Sequence, residues 1–510
     1  MTSDVIWQYG AYLDVYVKDA LVAANRFLHL EAEEGEPPTF EDAAGTLPEP
    51  VWDGHDDVIA CYWRAWELAF GNLQPAKAEA RVVAPYLDAA FNGCLFLWDN
   101  ALATFFGRYG RRAFDFQRGL DSFYAHQHVD GFLCRTLNPD GSDRFHRYDP
   151  SATGPNVVLW AEHDYAAVTG DDRRLEPVLP VLAAYHRWLR RYRTWPDGTY
   201  WSNGWGCGMD NLPRAAGSDP GHGHLGWIDA CLQQVLSARL IATVARSYPH
   251  AGVHPSEFDA EAARLTDIVN ESFWNEALGA YVDRRPDGSP SDVLTVATFW
   301  ALLAGAAPPD RARRLLDALD DPSSFNRPHR VPALSAADPH YRATGAYWRG
   351  GVWPPTTYIA MRAADAAGDH DLATAIASNH VRNVTDVFNE TGTLWECYAP
   401  EAASPGDQAR PDFVGWSGLG PVAGLLEYVL GVRTSGVDRV VWTVGLTEAH
   451  GVRRMPVGAE ATVDLLCAAR NGVEDEPQVT VEANRPVTVE VRWNGGLKTI
   501  EAGRQAGGGF

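Results

Sequence analysis

Between Asp56 and Leu430 the chain repeats one device: a segment with apolar residues three and four apart, then a polar loop. Those spacings put apolar side chains on one face of a helix. Twelve segments fit: Asp56–Phe70, Asp99–Tyr109, Arg112–Gln127, Asn156–Val168, Arg174–Tyr192, Leu225–Arg246, Ser256–Phe273, Ser291–Ala304, Asp310–Ala318, Val352–Ala367, Asp369–Phe388 and Gly418–Leu430. Pro255-Ser256 and Pro309-Asp310 are helix start signals. Twelve helices suggest six hairpins closed in a ring, a mainly α (α/α)6 barrel or toroid.

After Val432 the texture changes. "DRVVWTV", "ATVDLLCAA", "PQVTVEAN" and "PVTVEVRWNG" alternate apolar and polar residues and are rich in Val and Thr, which predicts strands. Residues 433–510 are expected to form a small β appendage, one antiparallel sheet or half-sandwich covering one end of the helices, with a disordered "AGGGF" tail. Residues 1–50 hold a helix-like stretch, Tyr9–Phe27, and an acidic Pro-rich connector; they read as an arm or strap. The expected division is 1–50, 51–432 and 433–510.

At 510 residues and 46% apolar, the chain can bury a large core without staples. A formal charge of −23 argues against a duplex nucleic-acid face and against an anionic membrane partner. Seven dispersed Cys with no CxxC pair predict reduced thiols. "MTSDVIWQYG" lacks the basic and apolar regions of a signal peptide. The longest uncharged run, Val293–Pro309, is shorter than the ~20 residues of a membrane span. The expected location is the cytoplasm; nothing in the sequence signals an oligomeric state.

Helical barrels build their sites from loops at one mouth, and five loops here share a composition of Trp, Gly, Pro, Asn, Arg and single acids. They are "FLWDNAL" (Phe96–Leu102), "SNGWGCGMDNLPR" (Ser202–Arg214), "YWRGGVWPPTTY" (Tyr347–Tyr358), "TLWECYAP" (Thr393–Pro400) and "DFVGWSGLG" (Asp412–Gly420). Nothing in the second reads as helix or strand. Of the 19 Trp, Trp66, Trp160, Trp188 and Trp300 lie on helix faces and read as core. Those in the loops suit the C–H face of a sugar ring, with Asn, Arg and Asp beside them to bond hydroxyls. Candidate sugar contacts are Trp98, Asp99, Asn203, Trp205, Asn211, Arg214, Trp348, Arg349, Trp353, Trp395, Tyr398 and Trp416.

Two loop carboxylates qualify for acid/base work: Asp210 among small residues, and Glu396 between Trp395 and Tyr398. Glycosidic hydrolysis needs one carboxyl group protonated and another ionised, and aromatic surroundings raise a carboxyl pKa. Spacing alone does not assign the two roles. No phosphate loop, HExxH helix or GxSxG elbow is present. His222–His224 ("HGH") lacks the ligands that would complete a metal site, so no cofactor or metal is expected.

"FLWDN", "GMDNLPR", "YWRGGVWPPTTY" and "LWECYAPE", in that order, resemble inverting glycoside hydrolases of families 63 and 37: processing α-glucosidases, mannosylglycerate and glucosylglycerate hydrolases, and trehalases. The resemblance covers about residues 50–430. It implies an (α/α)6 barrel, Asp210 as general acid and Glu396 as general base. Trp98-Asp99, Arg349 and Trp353 match glycone-subsite elements; Asn211 and Arg214 match residues beside the acid. Leu212 stands where the families usually show Ser, Gly351 where they show Pro, and Cys397 where Asn or Lys is common. The trehalase signatures are absent, which points to another small α-glucoside or α-mannoside, or the terminal glucose of an oligosaccharide. The rival readings are a phosphorylase with a phosphate site in place of the base, a sugar isomerase using His residues, and a non-catalytic sugar-binding protein.

Overall fold

The computed structural model describes residues 5–9, 13–215 and 221–503. The molecule is helix-rich with a smaller sheet component. Six helical segments follow one another in contact: Leu97–Gly107 packs on Val158–Thr169, that on Ile228–Ser247, that on Trp300–Leu303, that on Pro354–Ala366, and that on Gly420–Val429, which packs back on Leu97–Gly107. Outside them lie Asp56–Gly71, Leu175–Tyr192, Pro255–Ser272, Pro309–Leu319 and His370–Thr391. Trp66, Trp160, Trp188 and Trp300 are all buried, as their helical positions predict. Ile228–Ser247 is long and apolar enough to cross a membrane, but it is mostly buried between neighbouring helices.

Three predicted helices change form. Arg112–Gln127 is a 3-10 turn, Phe116–Leu120, followed by the short helix Asp121–Ala125. Asp115 draws the Gln117 N–H onto its own carboxylate at 3.2 Å and starts the chain there. Ser291–Ala304 becomes helical only at Val296, where Thr295 caps the Ala297 N–H. Gly418–Leu430 is a 3-10 turn leading into a π-helix, Gly420–Val429. In the N-terminal segment the helix-like stretch Tyr9–Phe27 is not one. Leu13–Val17 is a strand paired with Val5–Tyr9, and two 3-10 turns follow, capped by Asp19 and Asn25. Residues 10–12 of that stretch and the "AGGGF" tail lie outside the described residues.

The strands form two four-stranded sheets rather than one. The first runs Val432–Ser435, Arg439–Thr443, Val487–Trp493, Gly496–Ala502, with its middle pair parallel. The second runs Val479–Ala483, Ala461–Cys467, His450–Val457 and then Glu49–Trp52. The last of these comes from the N-terminal segment, so the expected division at residue 50 falls inside a strand. Alternate residues of Ala461–Cys467 and Val487–Val491 are buried, as period-two side chains facing a second sheet must be.

The sandwich docks where the contacting helices end. The Gly436 N–H reaches Ala167 O at 2.9 Å, Thr434 Oγ1 reaches Val168 O at 3.2 Å, and Trp442 Nε1 reaches Leu430 O at 3.0 Å. Between those helix ends Arg108 and Arg362 clamp Asp164, and Arg108 reaches Glu427 at 2.5 Å. Burial works against the charge of Asp164, but Arg362 and Arg108 hold it well below the usual carboxylate range. The opposite ends, the helix starts, are left for the loops.

Candidate active site

Each candidate loop feeds the start of one of those helices. Trp98 and Asp99 open Leu97–Gly107, Trp353 is the N-cap of Pro354–Ala366, and Trp416 is the N-cap of the turn before Gly420–Val429. The loop of Asp210 precedes Ile228–Ser247. Sequence order therefore delivers residues more than 300 positions apart to one mouth.

The loops are stitched together by their backbones. Val352 and Tyr398 exchange both N–H···O bonds at 2.9 Å, joining the "GVW" and "ECY" stretches. Asn211 ties the Asp210 loop to the next: its Nδ2 donates to Ala346 O at 3.1 Å, its Oδ1 accepts from the Trp348 N–H at 2.9 Å, and its carbonyl accepts from Arg349 Nε at 3.1 Å. Gly208 lets the same loop lie on the Trp98 indole. A Cβ there would stand 1.9 Å from a ring carbon, and φ is +74°, so only glycine fits.

Glu396 is buried and receives two hydrogen bonds, from the Tyr347 hydroxyl to Oε1 and from the Arg410 N–H to Oε2, each at 3.3 Å. Burial pushes its carboxyl up. The Arg410 and Tyr347 donors oppose this, and the charge of Asp210 adds to it. Asp99 is pushed up to about 7, chiefly by burial; its own backbone N–H and Arg135 oppose, while Glu396 and Asp210 push the same way. The three carboxylates thus feel one another, with the half-buried Arg135 guanidinium feeling Asp210 and Asp99. Aromatic rings back this cluster. Trp348 and Trp353 stack face to face at 3.8 Å, Trp416 lies 5.9 Å from Trp353 and 5.7 Å from Trp98, and Trp416 Nε1 donates to Glu396 O at 3.0 Å. The Trp98 indole N–H is buried with no acceptor among the described residues.

Several predicted sugar contacts prove to be scaffold. Arg214 is 1% exposed at its side chain, and its fork is consumed by Asp229 and Asp283 at 2.6–2.8 Å. Its guanidinium also stacks 4.1 Å over Trp227. Asn203 caps the short helix Gly204–Cys207, which the loop composition had hidden, and donates to Ser151 Oγ at 2.8 Å. Tyr398 is fully buried against His329 and His380, its oxygen accepting the Trp395 N–H. Trp395 turns its Nε1 to Thr391 on the outside. Trp205 is 45% exposed. Leu212, in place of the families' usual Ser, is buried. His222 and His224 pack against Trp195.

The sequence reading missed three residues: Tyr347 and the Arg410 backbone on Glu396, and Arg135, whose charge acts on Asp99 and Asp210. Tyr347 was in plain view, opening the "YWRGGVWPP" loop; the other two sit in stretches without an acid-and-tryptophan signature.

The sequence profile of the mannosylglycerate hydrolase MGH1-like glycoside hydrolase domain matches residues 95–417. The chain belongs to the MGH1-like glycoside hydrolases. The matched stretch starts just before Trp98-Asp99 and ends just after Trp416, so this glycoside hydrolase domain contains every candidate site residue and excludes the N-terminal segment and the sandwich. A probable mannosyl-oligosaccharide glucosidase of Schizosaccharomyces pombe is 24% identical over 283 residues, 48% of this chain and 34% of that one. A glucosylglycerate hydrolase of Mycolicibacterium hassiacum is 30% identical over 156 residues, 27% and 34% of the two chains. The MGH1-like chain thus spans about a third of the length of these two relatives. Among solved structures, the family 63 mannosylglycerate hydrolase of Thermus thermophilus in complex with glucose shares the fold. Its TM-score is 0.55 and its identity 19%, over 71% of this chain and 99% of that one.

Proposed function

We propose that the protein is an inverting, exo-acting α-glycosidase with Asp210 as general acid and Glu396 as general base. The observation that carries this is the set of three mutually coupled carboxylates, Asp99, Asp210 and Glu396, against a wall of Trp98, Trp353 and Trp416. Inversion needs a proton donor at the leaving oxygen and a carboxylate that takes a proton from water on the other face of the ring. Glu396 suits the second role because Tyr347 and the Arg410 N–H stabilise its ionised form. Asp210 gives its proton to the glycosidic oxygen, the C–O bond breaks, water adds to the anomeric carbon, and its proton passes to Glu396. Asp99 and the Trp98 N–H are placed in the scheme as partners for glycone hydroxyls.

The unbroken contact sequence of six helices supports reading the body as an (α/α)6 barrel with this site at its mouth. The family description and the named relatives support a small α-mannoside or α-glucoside, such as a glycosylglycerate, or the terminal glucose of an oligosaccharide. The test is hydrolysis of mannosylglycerate, glucosylglycerate, α-linked disaccharides and glucose-capped glycans by wild type and Asp210→Asn. The variant is expected to lose about 10²–10⁴ in kcat. Near-normal turnover of a substrate with a poor leaving group would remove Asp210 from the acid role.

A further inference from the structure

Past the end of the helix Leu97–Gly107, on the far side from Trp98 and Asp99, lies a cleft of about 620 Å³. That is the size of a small-molecule site. The N-terminal segment contributes Arg26 and Phe27, the helical body contributes Arg111, Arg112 and Tyr165, and the sandwich contributes Gly458. At a rise of 1.5 Å per residue, the helix alone puts roughly 16 Å between this cleft and the candidate carboxylates.

The chain carries a charge of −23, yet six arginines and two aspartates line this one cleft. Three of the arginines are already answered. Arg118 pairs with Glu33, Arg173 with Asp171, and Arg174 with Asp121, each at 2.6 Å. Arg26, Arg111 and Arg112 make no ion pair among the described residues. The remaining lining carboxylate, Asp115, is engaged by the Gln117 N–H and the Tyr165 hydroxyl.

Arg111 is the telling member. It is half-buried, and its fork reaches only neutral acceptors, Arg108 O at 2.9 Å and Gly458 O at 2.6 Å. Burial disfavours its charge, and the nearby Arg108 and Arg112 charges add to this. A guanidinium cannot shed its proton at working pH, so the cost stays until an anion arrives. Arginine forks match phosphate oxygens in pairs, and Phe27, Leu30 and Pro177 give the rest of the cleft an apolar wall.

We propose that this cleft is a second ligand site, separate from the hydrolytic one, that binds a small organic phosphate, its phosphate on the arginines and its organic part against the apolar wall. Free inorganic phosphate offers the same anion without the organic part, so the experiment carries both. The full chain is titrated calorimetrically with glucose 6-phosphate, inorganic phosphate and glucose, as wild type, as Arg111→Gln and as the double variant Arg26→Gln/Arg112→Gln. Both residues of the double variant are exposed, so its fold is not at risk. The expected result is saturable binding of glucose 6-phosphate, weaker binding of inorganic phosphate, and a loss of about tenfold or more in each variant. Glycoside hydrolysis by the double variant stays at the wild-type rate. Equal affinity for inorganic phosphate would overturn the organic part. Absence of saturable binding by either phosphate, or binding undiminished in the double variant, would overturn the site.

Discussion

The Tyr347 hydroxyl donates to Glu396 Oε1 at 3.3 Å. Tyr347 holds this position with φ at +64°, a left-handed conformation rare for a bulky side chain. The bond favours the ionised carboxylate, which a base must be, while burial favours the protonated form. Because burial wins, the acid limb of activity should lie above the ordinary Glu value of 4.5. Removing the donor in Tyr347→Phe should move that limb to higher pH by about one unit, since a hydrogen bond to a charged group contributes ~1.5 kcal/mol. The pH profile of kcat/KM reads it directly.

Asp99 makes a different pH prediction. Its carboxyl is pushed up to about 7 by burial first, with Glu396 and Asp210 adding to the effect. The unfolded chain releases this proton near pH 4, the folded chain only near 7. Between those values the folded state holds more protons, so stability falls as pH rises, and the loss is complete above 7. Asp99→Asn removes the titration. The variant should therefore gain on wild type from pH 4 to 7, by on the order of 4 kcal/mol at pH 8, while losing activity. Urea midpoints at pH 5 and pH 8 measure the difference.

Arg214 should behave as a structural residue. Asp229 and Asp283 are both buried around its fork. Arg214→Gln strands two buried carboxylates, which costs about 3–5 kcal/mol. Thermal or urea unfolding should show that loss, and the folded fraction should keep a near-wild-type KM. A large rise in KM at unchanged stability would return Arg214 to the sugar.

The helices were legible because their apolar spacing is local: Asp56–Gly71 and Leu175–Tyr192 match their predicted spans almost residue for residue. The strand Glu49–Trp52 was not. It carries Pro50 and pairs at a sheet edge, where proline is tolerated, with His450–Val457 far along the chain. The loop composition exposed Glu396, Asp210 and the tryptophans. It could not separate Trp98, whose N–H has no acceptor among the described residues, from Arg214, whose donors are spent on Asp229 and Asp283. That distinction depends on partners supplied by other segments, as does the contact of Tyr347 with Glu396.

The central claim is a single displacement by water with Asp210 as acid and Glu396 as base. Time-resolved proton NMR of an α-linked substrate during hydrolysis tests it most directly. The account predicts that the β-anomer of the released sugar appears first and relaxes toward equilibrium by mutarotation. First appearance of the α-anomer would mean retention through a covalent intermediate and would contradict the role given to Glu396.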